Sequence, residues 1–116
     1  MVRRYEDIKM EPGETCIAQR YMTKPYLIDG LKFDLRIYVL VFGVDPLRVF
    51  IFKEGLARFA TDQYIAPGKG NLNNMFMHLT NYAINKNSEA FVEGNFERDG
   101  HKRSLSMILQ YLEENE

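Results

Sequence analysis

The chain has 116 residues, enough for one small domain with a core and too few for two independent ones. Hydrophobic residues make up 46% and charged residues 27%, which excludes a disordered or fibrous chain. Fifteen Lys and Arg against sixteen Asp and Glu leave a formal net charge of -1, so no overall field draws in nucleic acid or an anionic membrane, and neither is expected as a partner.

The opening MVRRYEDIKM has basic residues with no apolar stretch behind them and does not read as a secretory signal. Thr15 to Met22, between Pro12-Gly13 and Pro25, is predicted as a short strand. It holds Cys16, the single cysteine, which can form no internal disulfide and joins no Cys/His metal spacing; a reducing compartment such as cytosol and a buried, inert thiol are expected. A turn follows at Asp29-Gly30. Lys32, Asp34 and Arg36 then alternate with Phe33, Leu35 and Ile37 before the chain turns apolar over Tyr38 to Phe42, which predicts a strand with one polar end. Asp45-Pro46 marks a turn, Leu47 to Phe52 reads as a second strand, and together they predict an antiparallel hairpin. The longest apolar stretch, Ile37 to Val44, is far short of the roughly 20 residues of a membrane-spanning helix.

Gly55 to Ala60 is expected to continue the sheet after a bend at Gly55, and Ile65 to Asn71 to form a loop. Leu72 to Asn81 reads as a short helix or as irregular, and Asn85 to Gly100 as a long exposed loop. From Ser104, a plausible N-cap, Leu105, Ile108, Leu109 and Leu112 form a helical stripe. Its end, Glu113-Glu-Asn-Glu116, sets carboxylates at the negative pole of the helix, so the helix either frays in solvent or continues in a longer chain.

Lys32, Asp34 and Arg36 on one strand face stand roughly 7 Å apart, a row suited to phosphates with the cations and a hydroxyl, amine or metal with the carboxylate. A solvent-facing row of mutual ion pairs fits the same pattern. Arg58, alone in the run Leu56-Ala-Arg-Phe-Ala60, is either a site residue or an edge charge. His78-Leu-Thr-Asn-Tyr82 offers groups that could orient a ligand, or a helix cap or turn. Gly68-Lys69-Gly70 lacks the GxxxxGK[ST] context and reads as a flexible loop. Cys16 with His78 or His101 is a weak candidate for a nucleophile pair.

Taken in order, Gln19-Arg-Tyr-Met22, Pro25, Leu27-Ile-Asp-Gly30, Lys32-Phe-Asp-Leu-Arg36, Asp45-Pro-Leu-Arg48, Lys53 to Thr61, Met77-His-Leu-Thr-Asn-Tyr82 and Lys102-Arg103 resemble the central part of the tubulin tyrosine ligase-like family. GLARFAT, and NYAIN after HLTN, look most like its polyglutamylase branch. The resemblance implies an α+β fold of the ATP-grasp type, of which residues 1–116 form a single incomplete segment: the central and part of the C-terminal lobe, an antiparallel sheet with helices. It implies an enzyme that uses ATP to join free glutamate to tubulin tails through an acyl phosphate. Gln19, Arg20, Tyr21 and Met22 would lie against adenine, and Lys32 and Asp34 would face the nucleotide. Arg36 would reach the terminal phosphate, and Thr80 and Asn81 would complete the ATP site. Arg58 would bind phosphate or the incoming amino acid, which makes Arg36 and Arg58 the catalytic candidates. Tyr82 and Lys102 would hold glutamate.

The resemblance also implies magnesium, with no metal ligand on this chain. The family's phosphate loop is expected before Met1 and its metal-binding motif beyond Glu116, so residues 1–116 alone are expected to be inactive. Tubulin C-terminal tails and microtubules are the expected partners, in the cytoplasm and cytoskeleton, including cilium, axoneme or basal body, with a monomeric protein. Two rivals remain: a non-catalytic relative that keeps nucleotide or tubulin binding, and an RNA-binding sheet, for which no RNP1-like string is present.

Overall fold

The computed structural model describes residues 1–96 and 99–115. Residues 97 and 98, within the stretch expected as a loop, and residue 116, the end of the expected helix, lie outside the described residues. One antiparallel sheet runs in the order β1 (Leu27–Ile28), β2 (Leu31–Val44), β3 (Leu47–Phe59) and β4 (Lys102–Ser104). Among the described residues three α-helices accompany it, α1 (Met75–His78), α2 (Tyr82–Asn85) and α3 (Leu105–Asn115), with a short 3-10 helix at Tyr5–Asp7. No helix among the described residues is long and apolar enough to cross a membrane.

The β1–β2 turn needs two residues in the left-handed region, and Asp29 (φ 55°) and Gly30 (φ 72°) supply them. At residue 30 the positive φ favors glycine, while the nearest atom to an added Cβ, Gln63 Oε1, is the end of an exposed side chain that can move aside. Strand alternation then divides the sheet. Phe33 pairs with Phe59 on one face, and the rings stack with centroids 5.3 Å apart. Ile28, Leu31, Ala57 and Phe59 form the core on that face with Ile108 of α3, flanked by Tyr111 and Leu112. Arg103 crosses the same face, its guanidinium 4.3 Å from the Phe59 ring centroid and its Nη2 donating to Asp29 Oδ2 at 2.9 Å.

Ser104 caps α3 as expected, its Oγ accepting from Met107 N. Glu54 adds a second cap from β3, accepting from Ser106 N at 3.2 Å and from the Ser106 hydroxyl. The predicted stripe holds at Leu105, Ile108 and Leu112, while Leu109 stays half exposed and Tyr111 packs on the cluster instead.

The hairpin, the Asp29-Gly30 and Asp45-Pro46 turns and the 65–71 loop are found where the sequence places them, and Leu72 to Asn81, open between helix and irregular chain, holds the four-residue α1. The bend at Gly55 is a register slip between Ile37/Gly55 and Val39/Ile51, a bulge that leaves β3 continuous. Beyond it, residues 38–44 and 47–52 form an arm whose large apolar side chains are exposed on both faces.

Three expectations are corrected. Thr15 to Met22 is not a strand: it pairs with no strand among the described residues. Cys16 within it is exposed rather than buried, with Sγ 3.5 Å from Met10 Sδ. The stretch from Asn85 to Gly100 is not exposed throughout, since Asn85 closes α2 with 1% of its surface accessible. The short elements β1, α2 and β4 are additions to those expected from the sequence.

Candidate functional site

Strand register builds the center of the site. Asp34 of β2 faces Arg58 of β3, and Arg58 faces Lys102 of β4, so a carboxylate, a guanidinium and an ammonium stem from one face across three strands. Arg58 binds Asp34 through both fork positions, Nε to Oδ1 at 3.0 Å and Nη2 to Oδ2 at 2.5 Å. That hydrogen bonding raises the Arg58 pKa and fixes the fork's direction. Lys102 Nζ stands 4.9 Å from the ring centroid of Tyr82, the first residue of α2. Arg58, Tyr82 and Lys102, named together from the sequence as the amino-acid subsite, are therefore gathered by the fold.

The row Lys32, Asp34, Arg36 does not neutralize itself along the strand. Asp34 pairs across the sheet, Lys32 turns to Tyr21 and His78, and the Arg36 side chain is exposed with no hydrogen bond or ion pair among the described residues. An unpaired guanidinium two residues from a paired carboxylate is a ready contact for an anion.

Lys32 Nζ donates to the His78 carbonyl at 2.7 Å, approaches the Tyr21 hydroxyl at 3.5 Å and lies 4.5 Å from the Tyr21 ring centroid. Burial lowers its pKa, partly offset by Asp34. A cleft of about 420 Å³ opens here, lined by Gln19, Arg20, Tyr21, Met22 and Lys32, with Tyr26 among its walls. Thus the 19–22 segment, although unpaired, still meets Lys32. Thr80 and Asn81 follow Leu79, the C-cap of α1, and their side chains make no hydrogen bond among the described residues. Asn81 occupies the N-cap position of α2 without a side-chain cap bond.

The sequence points to His78 only as a ligand-orienting or capping residue and a weak partner for Cys16. It is 1% exposed and both ring nitrogens are engaged: Nε2 lies 2.9 Å from the Asn71 carbonyl, so it carries the proton, and Nδ1 at 2.8 Å then accepts from the Tyr21 hydroxyl. Burial and the Tyr64 hydroxyl keep the Tyr21 phenol protonated well above its ordinary range. His101 bonds to Val92, so neither histidine is set against Cys16. Gly68-Lys69-Gly70 is a turn, with Gly68 N donating to Asn71 Oδ1 at 2.7 Å.

Burial first, with Lys32 and the N-terminal amine, lowers the His78 pKa below its ordinary 6.5, while the Asn71 carbonyl raises it. His101 is lowered in the same direction by burial. The unfolded chain therefore binds these protons more readily than the folded one, so their stabilizing contribution is full above about pH 6.5 and is lost as pH falls toward the folded pKa values. The melting temperature is expected to be flat from pH 7 to 8 and to fall from about pH 6.5 to 5, with a smaller fall in His78→Gln.

The arrangement sets cations and one carboxylate on one face of the sheet with a cleft beside it, chemistry suited to an anionic ligand. The chain belongs to the tubulin-tyrosine ligase family, whose model matches residues 1–116. It is 54% identical over 107 residues to tubulin polyglutamylase TTLL13 of Mus musculus, covering 92% of this chain and 13% of that protein. It is 54% identical over 110 residues to tubulin polyglutamylase TTLL6 of Homo sapiens, covering 92% and 12%. A probable beta-tubulin polyglutamylase of Tetrahymena thermophila is 51% identical over 111 residues, covering 90% and 9%. The chain thus spans about an eighth or less of the length of these relatives.

Proposed function

We propose that residues 1–116 form part of the catalytic domain, of the ATP-grasp type, of a tubulin polyglutamylase. The gathering of Arg58, Lys102 and Tyr82 beside the Lys32 cleft is the observation that carries this reading. ATP would lie with its base against Gln19, Arg20, Tyr21 and Met22, near Lys32, Asp34, Thr80 and Asn81, and with its terminal phosphate toward Arg36. A tail glutamate carboxylate oxygen attacks the γ-phosphorus, the bond to ADP breaks, and an acyl phosphate forms. The amine of free glutamate then attacks the acyl carbon, loses a proton, and phosphate leaves.

The protein's part in such chemistry is to position the reactants and neutralize charge. Arg36, whose side chain has no partner of its own among the described residues, suits the transferring phosphoryl. Arg58, aimed by Asp34, suits the developing anion or the carboxylate of the incoming glutamate. Lys102 with Tyr82 suits that glutamate's other carboxylate. Magnesium would help neutralize phosphate charge in such a reaction; among the described residues no group of three or more His, Cys, Asp or Glu is placed to hold a metal ion, and the contribution of residues 1–116 is their cations. The setting that goes with this activity is the microtubule cytoskeleton, cytoplasmic or ciliary, with tubulin tails as partner and a monomeric enzyme.

The reading is tested by mass spectrometry of a tubulin-tail peptide incubated with ATP, magnesium and equal glutamate, glycine and tyrosine. Residues 1–116 are compared with the same chain extended at both ends. Glutamate added only by the extended chain is the expected result. Addition of glycine or tyrosine instead would overturn the donor, and no addition by either chain would leave a nucleotide- or tubulin-binding relative as the better reading.

A further inference from the structure

Two buried polar residues outside the proposed ligand set converge on Thr80 and Asn81. Asn85, 1% exposed, uses its whole side-chain amide: Oδ1 accepts from Thr61 N and from Thr61 Oγ1, both at 3.0 Å, and Nδ2 donates to the carbonyls of Leu79 at 2.8 Å and Asn81 at 3.1 Å. Flipping the amide would set an oxygen against two carbonyls, so the orientation is determined by its partners. Thr61, 7% exposed, sits two residues past the end of β3, the strand that carries Arg58. Its backbone N–H also donates to the Phe76 carbonyl at 3.0 Å.

The two carbonyls bound by Asn85 flank Thr80. Asn81 O also accepts from Ile84 N and Asn85 N, which closes the first turn of α2 without help from the Asn81 side chain. An asparagine at an N-cap ordinarily engages the helix N–H groups with its own side chain. Here Asn85 holds the backbone from inside, and the Thr80 and Asn81 side chains stay uncommitted among the described residues.

We propose that Asn85 and Thr61 are positioning residues that clamp the Leu79–Asn81 backbone to the end of β3, presenting Thr80 and Asn81 to nucleotide in fixed register with Arg58. This rests on the proposed ATP site. Because the groups they position would bind ATP before and during reaction alike, loosening the clamp acts on KM more than on kcat.

The test uses the polypeptide extended at both ends, with tail peptide and glutamate saturating and ATP varied. Asn85→Asp replaces both donors with an acceptor, and Thr61→Val keeps the shape and removes the hydroxyl. KM for ATP is expected to rise about tenfold or more in Asn85→Asp and about fivefold in Thr61→Val, with kcat within threefold. Thr61→Ser, which keeps the hydroxyl, is expected to restore KM to within twofold. Hydrogen exchange at the Ile84 and Asn85 amides is expected to quicken in Thr61→Val and not in Thr61→Ser. An unchanged KM in both disabling variants, or equal impairment by Val and Ser at residue 61, would overturn the proposal. The exchange readout needs no ATP, so absence of ATP-dependent turnover in the unaltered polypeptide defeats the ATP reading, while equal exchange in the Val and Ser variants defeats the clamp.

Discussion

Reversing the charges of Asp34 and Arg58 together, as Asp34→Arg with Arg58→Asp, is expected to recover most of the stability lost in either single variant and none of the ligation rate. The pair is bidentate but partly open, with side chains 18% exposed at Arg58 and 38% at Asp34, so losing either partner is expected to cost only about 1 kcal/mol of local stability. The effect on catalysis has a different source. Removing a fixed cation from where charge develops costs on the order of 10²- to 10³-fold in kcat. Arg58→Ala also leaves the Asp34 carboxylate unpaired, where it would repel the anionic nucleotide proposed above. Local stability is read from hydrogen exchange at the β2–β3 amides, and activity from glutamate added to a tail peptide by the extended polypeptide. If the double variant recovers both, or if Arg58→Ala loses activity only in proportion to its folded fraction, the pair is structural alone.

Phe59→Ala is expected to cost about 3–5 kcal/mol, more than the loss of either partner of the Asp34–Arg58 pair. Phe59 is 1% exposed, stacked on Phe33 and covered by the Arg103 guanidinium, so truncation opens a cavity that rigid strands on either side cannot close. Leu35→Ala, two residues along the same face of β2 from Phe33 but 39% exposed, is expected to cost less than about 1 kcal/mol. Denaturant unfolding of the extended polypeptide, followed by exchange at β3 amides, separates the two. A loss below about 1 kcal/mol at Phe59 would mean that the core is centered elsewhere. Because Phe59 neighbors Arg58, the same variant should lose ligation as the strand loosens, whereas Arg58→Ala should lose it with the strand intact.

The hairpin was legible because its information is local: alternation from Lys32, an Asp-Pro turn, and β-branched and aromatic residues after it. The same local signals misread Thr15 to Met22, since a strand needs a neighbor to accept its hydrogen bonds and composition cannot say whether one is present. β4 escaped because three residues are too few to show a period. The grouping of Arg58, Tyr82 and Lys102 rests on family resemblance alone, and register explains how residues as distant as Arg58 and Lys102 become neighbors. Asn85 looked like part of a polar loop because the partners that make its burial tolerable include Thr61, 24 residues earlier. An asparagine four residues after Asn81, within helical reach, was the one signal that could have found it.

The Arg103–Asp29 contact joins positions 74 residues apart and seats β4 against the remainder of the sheet. Loop-closure entropy grows only with the logarithm of length, so ten extra residues between β3 and β4 would add on the order of 0.1 kcal/mol to closing that span. Chain length at the exposed Glu89-Ala90 turn of this connection is therefore nearly free to vary, while the Val92–His101 backbone contact and the spacing from Lys102 to Arg103 to Ser104 are not. A one-residue slip there would send Arg103 to the site and Lys102 to the core.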